Sequence, residues 1–380
     1  MRTGARLVYF IDSLSSGGAQ RQLVEIACHL HRAHRISLAV VVYHDIPFFE
    51  PKLREAGVPV RRLAKRRGFD PLLALRLRGA LRELRPEIVH AFLTPSCLYA
   101  FLAVRSMPRA VRPALIAAER SALEGSSFSD RWVERLVYPR CEAVTSNAAS
   151  VASDIEIRIG VPIDRVHYIP NGIDLAAWDA ASREPSPIPL AEGRFHLGMV
   201  GGLRAEKNHL LLLEALGLLD AATRGRLQVW FVGAATGTPD VVRRIDDEIA
   251  RRGFGTLVRR VPALPQIAPF LRRLDALVLP SRYEGFPNVL LEAMASAIPS
   301  IAARVGDVPN MLVEGRGGLV VPPNDSRALA GAIEALVSAP PEERVRIGRE
   351  ARARVEEAFT IERVAARHLD LYERFWRRRA

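Results

Sequence analysis

Cysteine is scarce in this 380-residue chain: Cys28, Cys97 and Cys141 are widely spaced and odd in number. That excludes a disulfide framework and a zinc cluster, and points to a reducing compartment. Aromatic residues make up only 7% and are not interleaved with the basic runs, so a base-stacking surface for nucleic acid is not expected. Long apolar stretches are missing as well. The longest, about 91–104, is interrupted by Pro95 and falls short of the ~20 residues a spanning helix needs. The first residues run into the short apolar segment Leu7–Ile11 without a signal-peptide core, so a cytoplasmic location is expected. No metal-ligand cluster and no Ser-His-Asp or Cys-His constellation stands out, so neither metal nor cofactor is expected.

What is present is an ordinary globular balance, 49% hydrophobic and 25% charged, which excludes disorder. At ~100–200 residues per domain, the length implies two domains. The formal net charge of +12 calls for a polyanionic partner: nucleic acid, anionic lipid or a phosphorylated substrate. The excess is uneven. Arg61 to Arg85 holds nine basic residues against Asp70 and Glu83, on a helical pattern with Leu73, Leu77, Ala80 and Leu84 along one face. An anionic membrane surface suits that arrangement, as does a core-facing helix with a solvated basic side.

Short apolar runs alternate with amphipathic helical patterns. Strands are expected over Leu7–Ile11, Ser37–Tyr43, Val58–Leu63, Ile88–Phe92, Ala114–Ala118, Ala143–Ser146 and Val166–Ile169. Helices are expected over Ala19–Leu30 and Pro71–Leu84, the latter with Asp70 as N-cap and Pro71 at its first position. The alternation predicts a parallel sheet covered on both faces. Proline density between Trp178 and Gly193 marks a linker, so the first domain is expected over 1–177 and the second over 194–360. In the second domain strands are expected over His196–Val200, Gln228–Val232, Leu257–Val261, Ala276–Leu279 and Ser300–Ala303. Helices are expected over Lys207–Leu219, Pro239–Arg252 and Pro287–Ala297. The amphipathic segment Ile361–Arg379 fits neither sheet and is expected to brace the first domain.

In such sheets ligands sit at the carboxyl ends of strands. After the first strand, Gly17 and Gly18 offer close backbone approach and amides at a helix start. The spacing is neither GxGxxG nor a Walker A loop, and an ordinary turn is equally compatible. After the first strand of the second domain, Gly201-Gly202-Leu203-Arg204-Ala205-Glu206-Lys207-Asn208 combines helix-start amides with two cations, a way to hold a diphosphate, although in isolation these residues fit a solvated basic loop better. The sharpest signal is Pro280-Ser-Arg-Tyr-Glu284-Gly-Phe-Pro-Asn-Val-Leu-Leu-Glu292-Ala-Met-Ala. Carboxylates accept strongly from sugar hydroxyls, and the amides of Phe286 to Val289 favour phosphate. The bland alternative makes Glu284 a capping acid and Glu292 a helix surface residue.

The Glu284-x7-Glu292 element, with Ser281 before it and Ala293-Met294-Ala295 after it, resembles the signature of the retaining family 4 glycosyltransferases. Gly17-Gly18-Ala19-Gln20-Arg21, Ile169-Pro170-Asn171-Gly172-Ile173-Asp174 and the Val200 to Asn208 loop resemble other elements of that family, in the same order. The resemblance implies a GT-B fold, two facing Rossmann-like doubly wound domains with a cleft between them. It implies that Lys207 and Arg204 contact the donor diphosphate and Glu292 the ribose. Glu284 with Gly285, Phe286, Pro287, Asn288 and Val289 is implied to hold the transferred sugar. Gly17 and Gly18 would lie against the donor diphosphate or the acceptor, Gly202 against the donor, and the base against the backbone near Pro262, Ala263 and Leu264. Acceptor contacts are expected from Arg120, Asn171 and the segment 119–128.

Two departures stand out. Gly202 occupies the place where many relatives carry arginine, with Arg204 nearby. His90-Ala91-Phe92 replaces a His-x-His, so Phe92 stands for the second histidine; His90 is kept as a catalytic candidate, although taken alone it reads better as a packed strand residue.

The expected reaction moves a hexosyl or N-acetylhexosaminyl group from a UDP- or GDP-linked sugar to a hydroxyl of a glycan or lipid-linked acceptor in cell-surface polysaccharide, lipopolysaccharide or glycolipid synthesis. In relatives of this kind the acceptor attacks from the leaving-group face, and a donor phosphate oxygen takes its proton. The protein is expected on the cytoplasmic face of a membrane. The alternative is a non-catalytic basic nucleotide- or nucleic-acid-binding protein, or another GT-B catalyst such as a sugar-nucleotide epimerase.

Overall fold

The computed structural model describes residues 6–120, 127–313 and 316–376. The chain divides into two compact units, one made of the chain up to Gly172 together with the segment from Ile361, the other of Ile173–Thr360.

The first unit is built on seven strands: β1 (Leu7–Ile11), β2 (Leu38–Val42), β3 (Val60–Arg62), β4 (Ile88–Phe92), β5 (Ala114–Glu119), β6 (Ala143–Ser146) and β7 (Val166–Tyr168). They pair in parallel in the order β3-β2-β1-β4-β5-β6-β7. Side chains of successive strand residues leave on opposite faces, and both faces are covered. Val8 and Phe10 pack with Leu73, Leu77 and Ala100 on one side. Leu7, Tyr9 and Ile11 pack with Leu23, Ile26 and Tyr372 on the other. Each such fully buried side chain stabilises the fold by about 1.5–3 kcal/mol, which is why the strands read as continuous apolar runs.

Local signals set the helices. Asp70 accepts a hydrogen bond from Leu72 N and opens the helix Pro71–Leu84, which stops at Arg85 in the left-handed region. The apolar stretch 91–104 resolves into the end of β4 and the helix Thr94–Arg105, with Pro95 in its first turn. The helix Ile361–Trp376 buries Ile361, Val364, Ala365, Leu371 and Tyr372 in the first unit's core.

The second unit carries β8 (Phe195–Val200), β9 (Leu227–Val232), β10 (Val258–Val261), β11 (Ala276–Leu279), β12 (Ser300–Ala303) and β13 (Gly318–Val321). All pairings are parallel, in the order β10-β9-β8-β11-β12-β13.

The linker expected over 178–193 needs correction. The helix Leu175–Ser182 occupies its start, and Trp178 is buried in the second unit with its Nε1 donating to Ser296 Oγ at 3.1 Å. Ile188 and Leu190, between the prolines, pack on the same apolar cluster. The chain therefore passes from one unit to the next at Gly172–Ile173. Proline ends helices, but apolar residues between prolines still anchor a segment.

Candidate active site

Because every strand is parallel, all loops that follow strands emerge on one edge of their sheet. In each sheet one point exists where the chain reverses its direction of winding: between β1 and β4 in the first unit, and between β8 and β11 in the second. Ligands collect at such points.

At the second unit's reversal point the loop after β8 meets the loop after β11. Lys207 closes the short turn Ala205–Lys207, and its Nζ donates to Glu284 Oε1 at 2.6 Å. Ser281 Oγ donates to the same oxygen at 2.7 Å. Both charged side chains are largely covered, at 14% and 13% exposure, so the pair is poorly screened by solvent. The backbone joins the loops as well, since Arg282 N donates to Glu206 O at 2.8 Å. Arg204 lies at the rim, half-exposed, with its Nε on Glu206 Oε1 at 2.9 Å. Lys207 is one of three lysines in a chain with 51 arginines, 54 basic residues in all.

Glu284 and Gly285 are themselves propped from β12. Asp307 N donates to Gly285 O at 2.9 Å. Gly306 has φ +53°, and a Cβ there would stand 2.2 Å from Glu284 O and 2.4 Å from Gly285 O. Only glycine permits this approach. Beyond them Phe286 is buried edge-to-face on Phe359 at 5.4 Å. Pro287 then caps the helix Asn288–Ala295, with Asn288 and Val289 half-buried at its start. First-turn amides of a helix lack intrahelical acceptors and carry the positive end of its dipole. Glu292 is buried farther along this helix, not on an exposed helical face. Ala263 is exposed just after β10, and Leu264 is half-buried on the apolar cluster.

Gly202 is closely hemmed. A Cβ there would lie 2.3 Å from Thr236 Oγ1 and 3.7 Å from Arg204 Nε. The Arg204 guanidinium thus reaches the space into which a side chain at 202 would project.

In the first unit, Gly17 caps the helix Gly18–His34. The loop before it is held by Asp12, whose Oδ1 accepts from Ser13 N at 2.6 Å and Gln20 Nε2 at 2.9 Å. Arg120 and Asn171 are brought together, Nη1 donating to Oδ1 at 3.2 Å. Of the expected acceptor segment 119–128, residues 121–126 lie outside the described residues, as do Arg377, Arg378 and Arg379 at the chain's end.

His90 needs correction as a catalytic candidate. It is fully buried, with Nδ1 2.8 Å from Tyr372 Oη and Nε2 3.1 Å from Thr145 Oγ1. Burial, with the neighbouring His368 and Arg120, holds its pKa well below the usual histidine range. Both ring nitrogens are engaged inside the core, which leaves neither free at the surface. The ring stacks on Phe92 at 4.4 Å.

Sequence reasoning missed a cavity of about 380 Å³ near the first unit's reversal point, whose lining includes Asp12, Tyr43, Lys65, Phe69, Leu93 and Tyr99. Leu93 has φ +72°, an uncommon conformation for a branched residue and a mark of functional sites. The cavity's aromatic residues Tyr43, Phe69 and Tyr99 come from three separated segments and carry none of the glycine or charge spacing that marks a motif.

Two parallel-sheet α/β units, each with one reversal point, have the topology of a GT-B fold, the fold of the solved structures that this chain resembles. Residues 16–177 match the family model described as Glycosyltransferase Family 4, and residues 194–339 the model described as Glycosyl transferases group 1. An alpha-maltose-1-phosphate synthase of Mycolicibacterium smegmatis is 30% identical over 66% of this chain and 68% of its own length. The chain belongs to glycosyltransferase family 4. A D-inositol 3-phosphate glycosyltransferase of Arthrobacter sp. (strain FB24) is 31% identical over 60% of this chain. The chain spans about half the length of that relative, 54% of it. Among solved structures, Anabaena HepE in complex with UDP and glucose superposes with a TM-score of 0.84 at 20% identity, covering 97% of this chain and 99% of that one.

Proposed function

We propose that this chain is a retaining hexosyltransferase that moves a sugar from a UDP- or GDP-linked donor to a hydroxyl of a glycan or lipid-linked acceptor in cell-surface polysaccharide, lipopolysaccharide or glycolipid synthesis. The observation that carries the reading is the Lys207–Glu284 pair, 2.6 Å apart and largely covered, at the second unit's reversal point. A cation fixed beside a carboxylate suits a sugar diphosphate. Lys207 stabilises charge that develops as the nucleoside diphosphate departs, and Glu284 accepts from sugar hydroxyls. Arg204 adds charge at the rim, and the amides of Phe286 to Val289 complete the donor's surroundings. Glu292 takes the ribose. The first unit holds the acceptor, and a donor phosphate oxygen takes its proton, so no protein nucleophile is needed. A radiometric transfer assay over UDP-, GDP- and ADP-sugars tests this. Transfer from one of them, lost in both Lys207→Ala and Glu284→Ala, is expected. Wild-type turnover in both variants refutes the roles.

A second reading concerns location. No helix of the described residues is long and apolar enough to cross a membrane, but Phe69, Leu72 and Leu75 are exposed at the start of the basic helix Pro71–Leu84. Phe128 and Trp132 are exposed on the helix Phe128–Val137, which lines the same cavity as Phe69 through Ser129 and Val133. Apolar tips among Lys65, Arg66 and Arg67 suit a peripheral contact with anionic lipid on the cytoplasmic face. Sedimentation with anionic vesicles that weakens with salt is expected, and indifference to lipid charge refutes it.

A further inference from the structure

Arg120 follows β5 directly and lies among the carboxyl ends of β4 to β7. Its guanidinium carbon is 5.1 Å from the centre of the Phe92 ring. Its Nη1 donates to Asn171 Oδ1, which also accepts from Asn147 Nδ2 at 3.4 Å. The remaining fork edge is unusual. Nε and Nη2 are closed off from solvent and have no hydrogen-bond partner among the described residues, and neither has Asn147 Oδ1. Burial lowers the guanidinium's pKa to about 10, which leaves it charged at neutral pH. The nearby carboxylate, Glu119, is engaged elsewhere, accepting from the Arg120 backbone amide at 2.9 Å and from Tyr138 Oη at 2.7 Å. The other polar neighbours, Tyr9, Tyr372, His90 and His368, are neutral at that pH, since burial raises the phenols and lowers the imidazoles.

A buried cation with an idle fork edge destabilises the fold that holds it. Groups left unpaired in this way are found where a ligand completes them. We propose that Arg120, steadied by Asn171 and the face of Phe92, is the receptor for an anionic group, a carboxylate or a phosphate, on the substrate taken by the first unit. Guanidinium geometry matches either oxyanion through two parallel hydrogen bonds. The Nε–Nη2 edge is such a pair of donors. Arg120 as a whole retains some exposed surface, so a rotation about its outer torsions brings that edge to an incoming oxyanion. Phe92 contributes a flat apolar face that keeps the guanidinium in plane. The proposal rests on the reading that the first unit holds the acceptor, and it narrows the acceptor to an acidic one.

The test uses the whole protein and three sugars that differ only at their sixth carbon: glucose, glucuronate and glucose 6-phosphate. Thermal midpoints and calorimetric Kd values are measured for wild type, Arg120→Met and Arg120→Lys. At least one charged sugar should raise the wild-type midpoint while glucose does not, and the better of the two identifies carboxylate or phosphate. Arg120→Met should weaken that sugar at least tenfold with an unliganded midpoint unchanged or higher. Arg120→Lys, which keeps the charge and loses the fork, should fall between. Indifference of the wild type to both charged sugars overturns the proposal, as does an Arg120→Met protein with a lower midpoint and undiminished affinity. UDP and GDP are titrated in parallel. A nucleotide response without a charged-sugar response removes this inference alone, whereas a charged-sugar response without a nucleotide response removes the donor assignment instead.

Discussion

The Lys207–Glu284 pair gives a quantitative test of the donor site. Lys207→Met keeps the aliphatic stem and removes the charge, and Glu284→Gln keeps the shape and removes the opposite one. With the two groups 2.6 Å apart and at 14% and 13% exposure, their attraction is gross, about 4 kcal/mol or more at an effective dielectric near 20. Most of it is offset by the desolvation of both ions. The net coupling between them should therefore be about 1–3 kcal/mol, read from urea unfolding of both single variants and the double. Each single variant should be less stable than the double is relative to simple additivity, because removing one partner strands the other. Catalysis should respond more steeply. Loss of one fixed donor to developing charge lowers turnover by about 10²–10³, equivalent to about 2.7–4 kcal/mol of barrier. The double variant should be hardly slower than the worse single one. Stability effects that add within about 0.5 kcal/mol, together with turnover falling less than tenfold in either single variant, refute the reasoning.

Gly306→Ala should destabilise by about 2–4 kcal/mol, from a left-handed backbone and a methyl driven against two carbonyl oxygens that cannot swing away. Turnover should fall with it, whereas Gly79→Ala, with nothing within 4 Å, should gain about 0.5–1 kcal/mol in the same thermal scans. Acid should destabilise both units through histidines kept neutral by burial: His209, pushed down to about 4, in the second, and His368, pushed down to about 3, with His90 in the first. Below pH ~6.5 the unfolded chain takes up protons that the folded one refuses, so stability falls as pH falls, by about 2 kcal/mol per histidine at pH 5. Neither ring nitrogen of His209 has a hydrogen-bond partner among the described residues, so His209→Leu should remove its share of that slope from urea midpoints between pH 7.5 and 5. An unchanged slope contradicts it.

The strands were legible because a parallel sheet buried on both faces must be written as apolar runs, and β1, β4, β6, β11 and β12 have the expected bounds. β13 was not expected: as an edge strand, its Gly318, Leu319 and Val320 are only half-buried. The helices Ser326–Ser338 and Pro341–Ala358 carried no motif. Trp178 shows why the linker was misplaced, since local proline says nothing of what a tryptophan meets 118 positions later at Ser296. In the site, Lys207 and Glu284 were legible as chemistry, 77 residues apart. Gly306 was not, because its necessity comes from the oxygens of Glu284 and Gly285 rather than from its neighbours in sequence. His90 was overread for the same reason. Its partners Thr145 and Tyr372 come from 55 and 282 positions away.

The helix Ile361–Trp376 has a consequence for how the molecule is made. Its Tyr372 hydroxyl meets Tyr9 Oη at 3.0 Å, both fully buried, and without it the part of the first sheet's face around Tyr9 loses its cover. On the ribosome, the unit whose strands emerge earliest therefore waits for a helix encoded after the whole of the second unit, while that second unit has every part it needs by Thr360. Chains ended at Thr360 and released from the ribosome should protect the second unit from protease and leave the first open, a reversal of the usual N-to-C order of assembly.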